Sequence, residues 1–564
     1  MSTQFRPIEI PPGVVSKATK KMNSSNWAEV NCCRWREGQL MPMGGQSQYA
    51  YTFASRCRAI HGWYGLDQVY RIAYLCEGHL YVDVGGELTD ITPLSGLSPV
   101  PYGQGDYGVS TYSGDPTYGL TPPAPSRLVG GYSDGVYSYA NYGTPRDAST
   151  ITAITQLPDV FSLDNFGSVL YAMTSPDSRL LMWDPAVGGR AIEQVPDEGR
   201  GPVPHGRSFV VTPERFLMIF GATQDGTVDG GSLRRFAWCD QENPGAWDYS
   251  NVTSQAGFLD IEPASPIITA LATRTGVLIW TGKKAYVSRF LGLPYIYNYL
   301  ELADNCTPWS PQSAVTTSSL ALWFSEQGLF AYDGTSILPV ACMVRPWIDD
   351  DIDTVNVRDQ ACASHVENYN EFWWFYPQDG QPYNTRAAIY NYKEGWWTQA
   401  RMSRSAGVTS SFTVYTIMAD GLVAFQHELG NTYGNADLPF AETFDLNIAN
   451  GSRLTTVKQL LPDVEGAAAN VAYSLYYRNG RAVDFSNPNL GGFPEQHTPQ
   501  SPINRSNGYV DLRTTGRDIR LRIDLTIPAG VTIGAGANQI TGNGAVLPVT
   551  LGQHLIDAVP RGDR

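Results

Sequence analysis

One short unit recurs along this chain and restricts what it can fold into: an apolar strand carrying an aromatic residue, often followed by Asp or Asp-Gly. Its clearest copies are Leu80-Tyr81-Val82-Asp83, Leu181-Met182-Trp183-Asp184, Phe236-Ala237-Trp238-Cys239-Asp240 and Leu329-Phe330-Ala331-Tyr332-Asp333-Gly334. Weaker copies are Lys284-Ala285-Tyr286-Val287, Ile389-Tyr390-Asn391-Tyr392 and Leu422-Val423-Ala424-Phe425. From Trp183 the aromatic anchors fall at Trp238, Tyr286, Tyr332, Tyr390 and Phe425, at intervals of 35 to 58 residues. Propeller blades of four strands repeat at about 40–50 residues. The unit therefore predicts an all-β chain with a β-propeller-like core of five to seven blades. An irregular assembly of β-sandwiches is the other architecture the same pattern allows.

The rest of the chain has the same strand-and-turn character. Apolar residues come in short bursts bounded by Gly, Pro, Asn or Asp, and no convincing amphipathic helix is found. Gly (56), Pro (38), Tyr (32) and Trp (14) are plentiful, whereas charged residues make up only 16%. Gly and Pro end strands, and aromatics fill pleated faces. In Arg520–Ile527 the alternation is clean, which predicts Leu521, Ile523, Leu525 and Ile527 toward a core and Arg520, Arg522 and Asp524 toward water.

Composition divides the 564 residues into four parts. Residues 1–100 read as an N-terminal β segment contributing to a platform or to the propeller. Residues 101–150 are Tyr/Gly-rich and read as a long extended loop, or as a linker. Residues 151–440 hold most of the blade-like units. Residues 441–564 are richer in Ala, Gly and Asn and read as a separate small β domain appended to the core.

The charge balance, 39 basic against 54 acidic residues for a net −15, argues against tight binding of nucleic acid. It is compatible with a conduit through which DNA passes without sticking. The eight cysteines (Cys32, Cys33, Cys57, Cys76, Cys239, Cys306, Cys342 and Cys362) form no C-x-x-C pair and no zinc spacing, and are expected to be buried, reduced thiols. No secretory leader or apolar run of membrane-spanning length is present, so the chain is expected to be made in the cytoplasm.

Motifs that could carry chemistry lack their structural setting. Gly103-x-Gly105-x-x-Gly108 follows Pro99 and Pro101 and precedes no helical pattern, so it does not read as a dinucleotide fingerprint. Gly131-Tyr132-Ser133-Asp134-Gly135 has the spacing of a nucleophile elbow but lies in the Tyr/Gly-rich stretch. The acidic run Asp349-Asp350-Asp351-Ile352-Asp353 has no EF-hand spacing and reads as a solvated loop. The seven histidines, His61, His79, His205, His365, His427, His497 and His554, are scattered, and no triad is inferred from them. Arg561-Gly562-Asp563 reads as a chance tail match. No catalytic, cofactor-binding or metal-binding residue is assigned, no cofactor is expected, and the interface residues are not given by the sequence.

A set of short segments nevertheless occurs in a telling order. Phe5-Arg6-Pro7-Ile8 and Pro12-Gly13-Val14-Val15 precede Cys33-Arg34-Trp35-Arg36-Glu37-Gly38 and Pro42-Met43-Gly44-Gly45. Tyr142-Gly143-Thr144-Pro145-Arg146, Phe236–Asp240, Gly328–Gly334 and Gly516-Arg517-Asp518-Ile519-Arg520-Leu521-Arg522 follow. In this order the chain resembles virion structural proteins of tailed phages, and is similar to the tail nozzle or tail tubular proteins of short-tailed phages. The resemblance spans nearly the whole chain. It implies a non-enzymatic β-propeller subunit of a homo-oligomeric ring, a hexamer, located in the virion tail and assembled in the host cytoplasm. Its partners would be portal and adaptor proteins and tail fibres or spikes, and the ring would extend the DNA ejection channel without binding DNA specifically. The alternatives are a peripheral tail module, such as a fibre dock or host-surface adhesin, and a propeller enzyme acting on glycans.

Overall fold

A computed structural model describes residues 5–16, 24–94, 120, 157–223, 232–262, 265–317, 319–408, 416–430, 438–446, 448, 453–466, 470–478 and 495–560. The Gly103–Gly108 and Gly131–Gly135 motifs, nearly all of the Tyr/Gly-rich stretch and the Arg561–Asp563 tripeptide lie outside them. The described chain is almost entirely β, with two short α-helices, Arg345–Asp351 and Val357–Gln360.

Seven antiparallel blades of four strands follow one another, six as separate sheets and the sixth in sequence as part of a larger sheet. Six are built from consecutive strands, spanning residues 57–90, 161–193, 208–260, 267–304, 314–340 and 362–400. The seventh takes three strands from residues 406–427 and its outer strand, Gln46–Thr52, from the N-terminal part of the chain. The first strands of the blades pack against one another in order, and Ala406–Gly407 of the seventh meets Cys57–Tyr64 of the first. An isolated parallel bridge, Ile60 to Val408, marks the closure. The core is thus a closed seven-bladed β-propeller.

The recurrent aromatic unit has one place in this architecture. Tyr81, Trp183, Trp238, Tyr286, Tyr332, Tyr390 and Phe425 all lie on the third strand of their blade. Large rings fill the wedges between blades. Trp280 and Trp323 meet edge-on with centroids 4.9 Å apart, Trp238 and Tyr297 at 5.3 Å, and Phe324 and Trp374 at 4.9 Å. Bulky rings suit a wedge because they bury much area with few rotatable bonds. Where blades approach closely no side chain fits: a Cβ on Gly407 would sit 2.5 Å from the Ser364 Cβ of the neighbouring blade.

Both chain ends build a second body, the platform. Phe5–Pro7 pairs with Leu555–Pro560, which continues through Thr455–Leu461 to Val510–Gly516. Trp27–Asn31 lies between Phe440–Thr443 and the last strand of the sixth blade, Trp397–Ala400. The sixth blade therefore runs on as one ten-stranded sheet through Asp518–Asp524 and Ala472–Arg478 of the platform. Among the described residues, N-terminal strands pair into the sheets formed by the strands between 440 and 560.

Leu521, Ile523, Leu525 and Ile527 are buried, as the alternation predicts. Asp524 departs from that pattern. It is only 7% exposed, because Gln500 Nε2 (2.9 Å) and Arg522 Nε (3.0 Å) satisfy its carboxylate.

Candidate functional site

The innermost strands place polar side chains around the propeller axis. His61 Nε2 lies 2.9 Å from Asn165 Oδ1 and 4.0 Å from Asp164 Oδ1, joining the first and second blades. Asp164 Oδ2 accepts the Val211 amide of the third blade (3.0 Å). Burial raises the Asp164 pKa, with His61 acting against that rise. Thr269 Oγ1 donates to the Pro311 carbonyl (3.2 Å), and Ser364 Oγ donates to Val408 (3.0 Å).

Other contacts cross between blades that are not neighbours. Gln312 Nε2 donates to the Phe161 carbonyl at 3.4 Å. Arg58, only 4% exposed, donates to the Asp359 carbonyl and to Gln360 Oε1 (3.3 Å), pairs with Glu77 (3.2 Å) and lies over the Phe161 ring. Buried polar groups seek partners, and several find theirs across the ring, while Gln312 Oε1 has none among the described residues. Side chains thus close the propeller axis at this level.

A second cluster fastens the platform to the propeller. Arg34, on the platform strand Cys33–Arg36, makes a two-pronged contact with Glu371 of the sixth blade (2.9 and 3.1 Å). It also reaches Glu428 beyond the seventh blade (2.6 Å) and stacks over Tyr369. Trp373 Nε1 donates to Glu371 (2.9 Å), and the Gly44 amide donates to Glu428 (2.8 Å). Burial raises the Glu371 pKa while Arg34 opposes that rise, and the same carboxylates hold Arg34 protonated.

The outer face of the long sheet carries a ladder of charges. Arg520 sits between Glu442 (2.8 Å) and Glu495 (2.5 Å), Arg522 between Glu442 (3.6 Å) and Asp524, and Arg401 beside Glu29. Arg522 also covers the Phe440 ring at 3.9 Å. These pairs are only partly exposed, so they fix side chains more than they add stability.

The histidines are dispersed, and among the described residues no group of three or more His, Cys, Asp or Glu could hold a metal. Ser178, His205 and Glu193 do come together, at 3.3 Å for each link. The Ser178 amide is already bonded to the Thr174 carbonyl (2.7 Å), and Glu193 is exposed at the blade edge. The acidic run is the end of the helix Arg345–Asp351 and the turn after it, a departure from the expected loop. Asp349 pairs with Arg345 (2.6 Å), Asp351 with Arg386 (2.8 Å), and Asp353 accepts the Val355 and Asn356 amides. All eight cysteines are buried, and none is in a disulfide.

His554 is a structural acceptor. Its Nδ1 receives the Asp463 amide (3.0 Å), its ring meets Tyr473 edge-on, and burial pushes its pKa down to about 4. An unfolded histidine titrates near 6.5, so the unfolded chain binds a proton that the folded chain refuses between those values. Stability from this group is complete above about pH 6.5 and falls as pH drops toward 4. Chemical denaturation at pH 7 and pH 4.5 should show His554→Gln losing roughly 2–3 kcal/mol less than the wild type over that interval. Equal losses would remove the assignment.

No protein-family model and no curated protein matches the chain. Among solved structures it is similar to the Pan2 WD40 domain of Neurospora crassa, with 10% identity and a TM-score of 0.34, over 68% of this chain and 95% of that one. It is also similar to a streptogramin B lyase, with 7% identity and a TM-score of 0.31, over 68% and 97%. A third is the β-propeller domain of Cps50 (Swd1) from Myceliophteria thermophila, with 8% identity and a TM-score of 0.26, over 47% and 95%. The fold assignment rests on the strand pairing of this chain itself.

The sequence assigned no site residue, and Arg34, Glu371 and Glu428 had no local signal to find. Arg34 lies more than 300 positions from either carboxylate, and only the fold brings them together.

Proposed function

We propose that this chain is a structural subunit of a phage tail, a nozzle-type component that forms a closed ring and extends the DNA ejection channel below the portal and adaptor. The order of motifs from Phe5–Ile8 to Gly516–Arg522 supports the family reading. The observation that carries the structural part is the pairing of a rigid propeller, its axis crossed by Arg58 and Gln312, with a platform built from both chain ends. A propeller closed in this way offers no bore for a duplex, so the conduit is the space enclosed by several copies. A net charge of −15 suits such a lumen, because phosphate finds few partners there. Aspartates and glutamates line the channel in this reading.

Quantitative mass spectrometry of purified particles tests it. Several copies per tail, in the ratio of a closed hexamer to the other axial components, is the expected result. A single copy, or one tied to the number of peripheral fibres, would favour a fibre dock or adhesin instead. A glycan-degradation assay on the purified chain should give no turnover.

A further inference from the structure

The platform carries two clefts of opposite character. One, of about 530 Å³, is lined by Thr456, Lys458, Tyr477, Gln496, Arg513 and Thr515. The other, of about 340 Å³, is lined among others by Glu29, Trp347, Asp350, Glu442, Phe444 and Arg520. Alternation along the strands fixes which way each looks. In Thr455–Leu461 and Val510–Gly516, Val457, Leu460, Val510 and Leu512 enter the core while Lys458 and Arg513 stay outside. In Phe440–Thr443 and Asp518–Asp524, Ala441, Leu521 and Ile523 enter the same core while Glu442 and Arg520 stay outside. Lys458 and Arg513 thus lie on the outer side of one sheet and Glu442 and Arg520 on the outer side of the other, while Tyr477 and Gln496 of the long sheet complete the first cleft, which spans both sheets.

The charges in the clefts are unequally satisfied. In the second cleft Glu29 holds Arg401, and Glu442 holds Arg520 and Arg522. Asp350 has no cationic partner among the described residues. It sits in the last turn of Arg345–Asp351, which has three aspartates and no basic residue at its end. A helix C-terminus carries partial negative charge, so this placement costs stability unless a cation comes from elsewhere. In the first cleft neither Lys458 nor Arg513 has a carboxylate at ion-pair distance among the described residues. The nearby Asp511 accepts Gln459 Nε2 instead (2.8 Å). The register of the ladders on both sides of Thr455–Leu461 shifts at Lys458, which takes that stretch out of the regular pleat.

We infer that the Lys458–Arg513 cleft of one copy receives the Asp350 helix end of the next. The inference rests on the ring reading and names its contact. A ring needs a head-to-tail interface of two different, complementary patches, and two separate clefts of opposite charge on one body meet that need. Trp347, at the edge of the acidic cleft, supplies the kind of aromatic anchor that interfaces favour.

The test uses the full chain assembled from an equal mixture of ¹⁵N-labelled and unlabelled protein. A zero-length carbodiimide should join Lys458 to Asp350 in mixed-isotope peptides. Lys458→Glu with Arg513→Glu should weaken assembly roughly tenfold or more, and Asp350→Lys should restore it when mixed with that variant. All changed positions are exposed, and circular dichroism checks the fold of each variant. An assembled wild type that gives no such cross-link, or assembles indifferently to the reversals, overturns this interface and leaves the ring reading intact. A wild type that stays monomeric even in the particle overturns both.

Discussion

Arg34→Met should destabilise the protein by about 3–5 kcal/mol, the effect expected when one partner of a buried ion pair is removed. Arg34 is 3% exposed, and its guanidinium neutralises two carboxylates, one on the sixth blade and one just beyond the seventh. Without it, Glu371 is a fully buried carboxyl left with the Trp373 indole as a hydrogen-bond donor. Burial already raises the Glu371 pKa, and losing the cation raises it further. The sign of the pH dependence follows. A carboxyl whose folded pKa lies above its unfolded value binds a proton more readily when folded, so the variant recovers stability as pH falls toward 5. Denaturant midpoints at pH 5 and pH 8 should therefore converge on the wild type at the lower pH. Adding Glu371→Gln to the variant should recover part of the loss at pH 8. A loss under about 1 kcal/mol at pH 8 would mean that the triad does not fasten the platform to the propeller.

The second large effect concerns the closure of the ring of blades. Gln46–Thr52 is the outer strand of the seventh blade, and Ser47 lies directly opposite Gln426. Ser47→Cys with Gln426→Cys should form a disulfide across that pair, because paired residues on neighbouring antiparallel strands lie within disulfide reach. The bridge would close a very long loop, and its stabilisation should be about 2–4 kcal/mol. Non-reducing electrophoresis and thermal melting with and without reductant read both parts. Moving one cysteine to position 425 changes the register by one and points its side chain to the other face, so that variant should not cross-link. A bridge at the shifted pair and none at Ser47–Gln426 would show that the N-terminal strand closes the propeller in another register.

These two contacts also mark where sequence reading reached its limit. The third strand of every blade was legible, because its aromatic fills the wedge beside the next blade and the following turn uses Asp or Gly. Trp183, Trp238, Tyr286, Tyr332, Tyr390 and Phe425 gave the repeat directly. The innermost strands gave no such signal. Ala406–Gly407 is two residues long, and its glycine is set by the approach of Ser364 rather than by any periodicity. The strand Gln46–Thr52 reads locally as an alternating strand, but nothing in it says that its partner lies in residues 423–427. Pairing between distant segments is a property of the closed ring, and local patterns do not encode it. The pairing within the platform was hidden for the same reason, since Trp27–Asn31 and Phe440–Thr443 become neighbours only once the propeller has brought the chain round. The acidic run is a smaller example. Pro346 at the start of Arg345–Asp351 gave a helix start that the aspartates after it obscured.

A three-dimensional reconstruction of the assembled tail tests the central claim most directly. The account predicts a closed ring of this chain around the tail axis, with the DNA path running between copies rather than through any one propeller, and with Asp and Glu facing the lumen. A chain placed at the tail periphery, or a lumen lined by Lys and Arg, would contradict it.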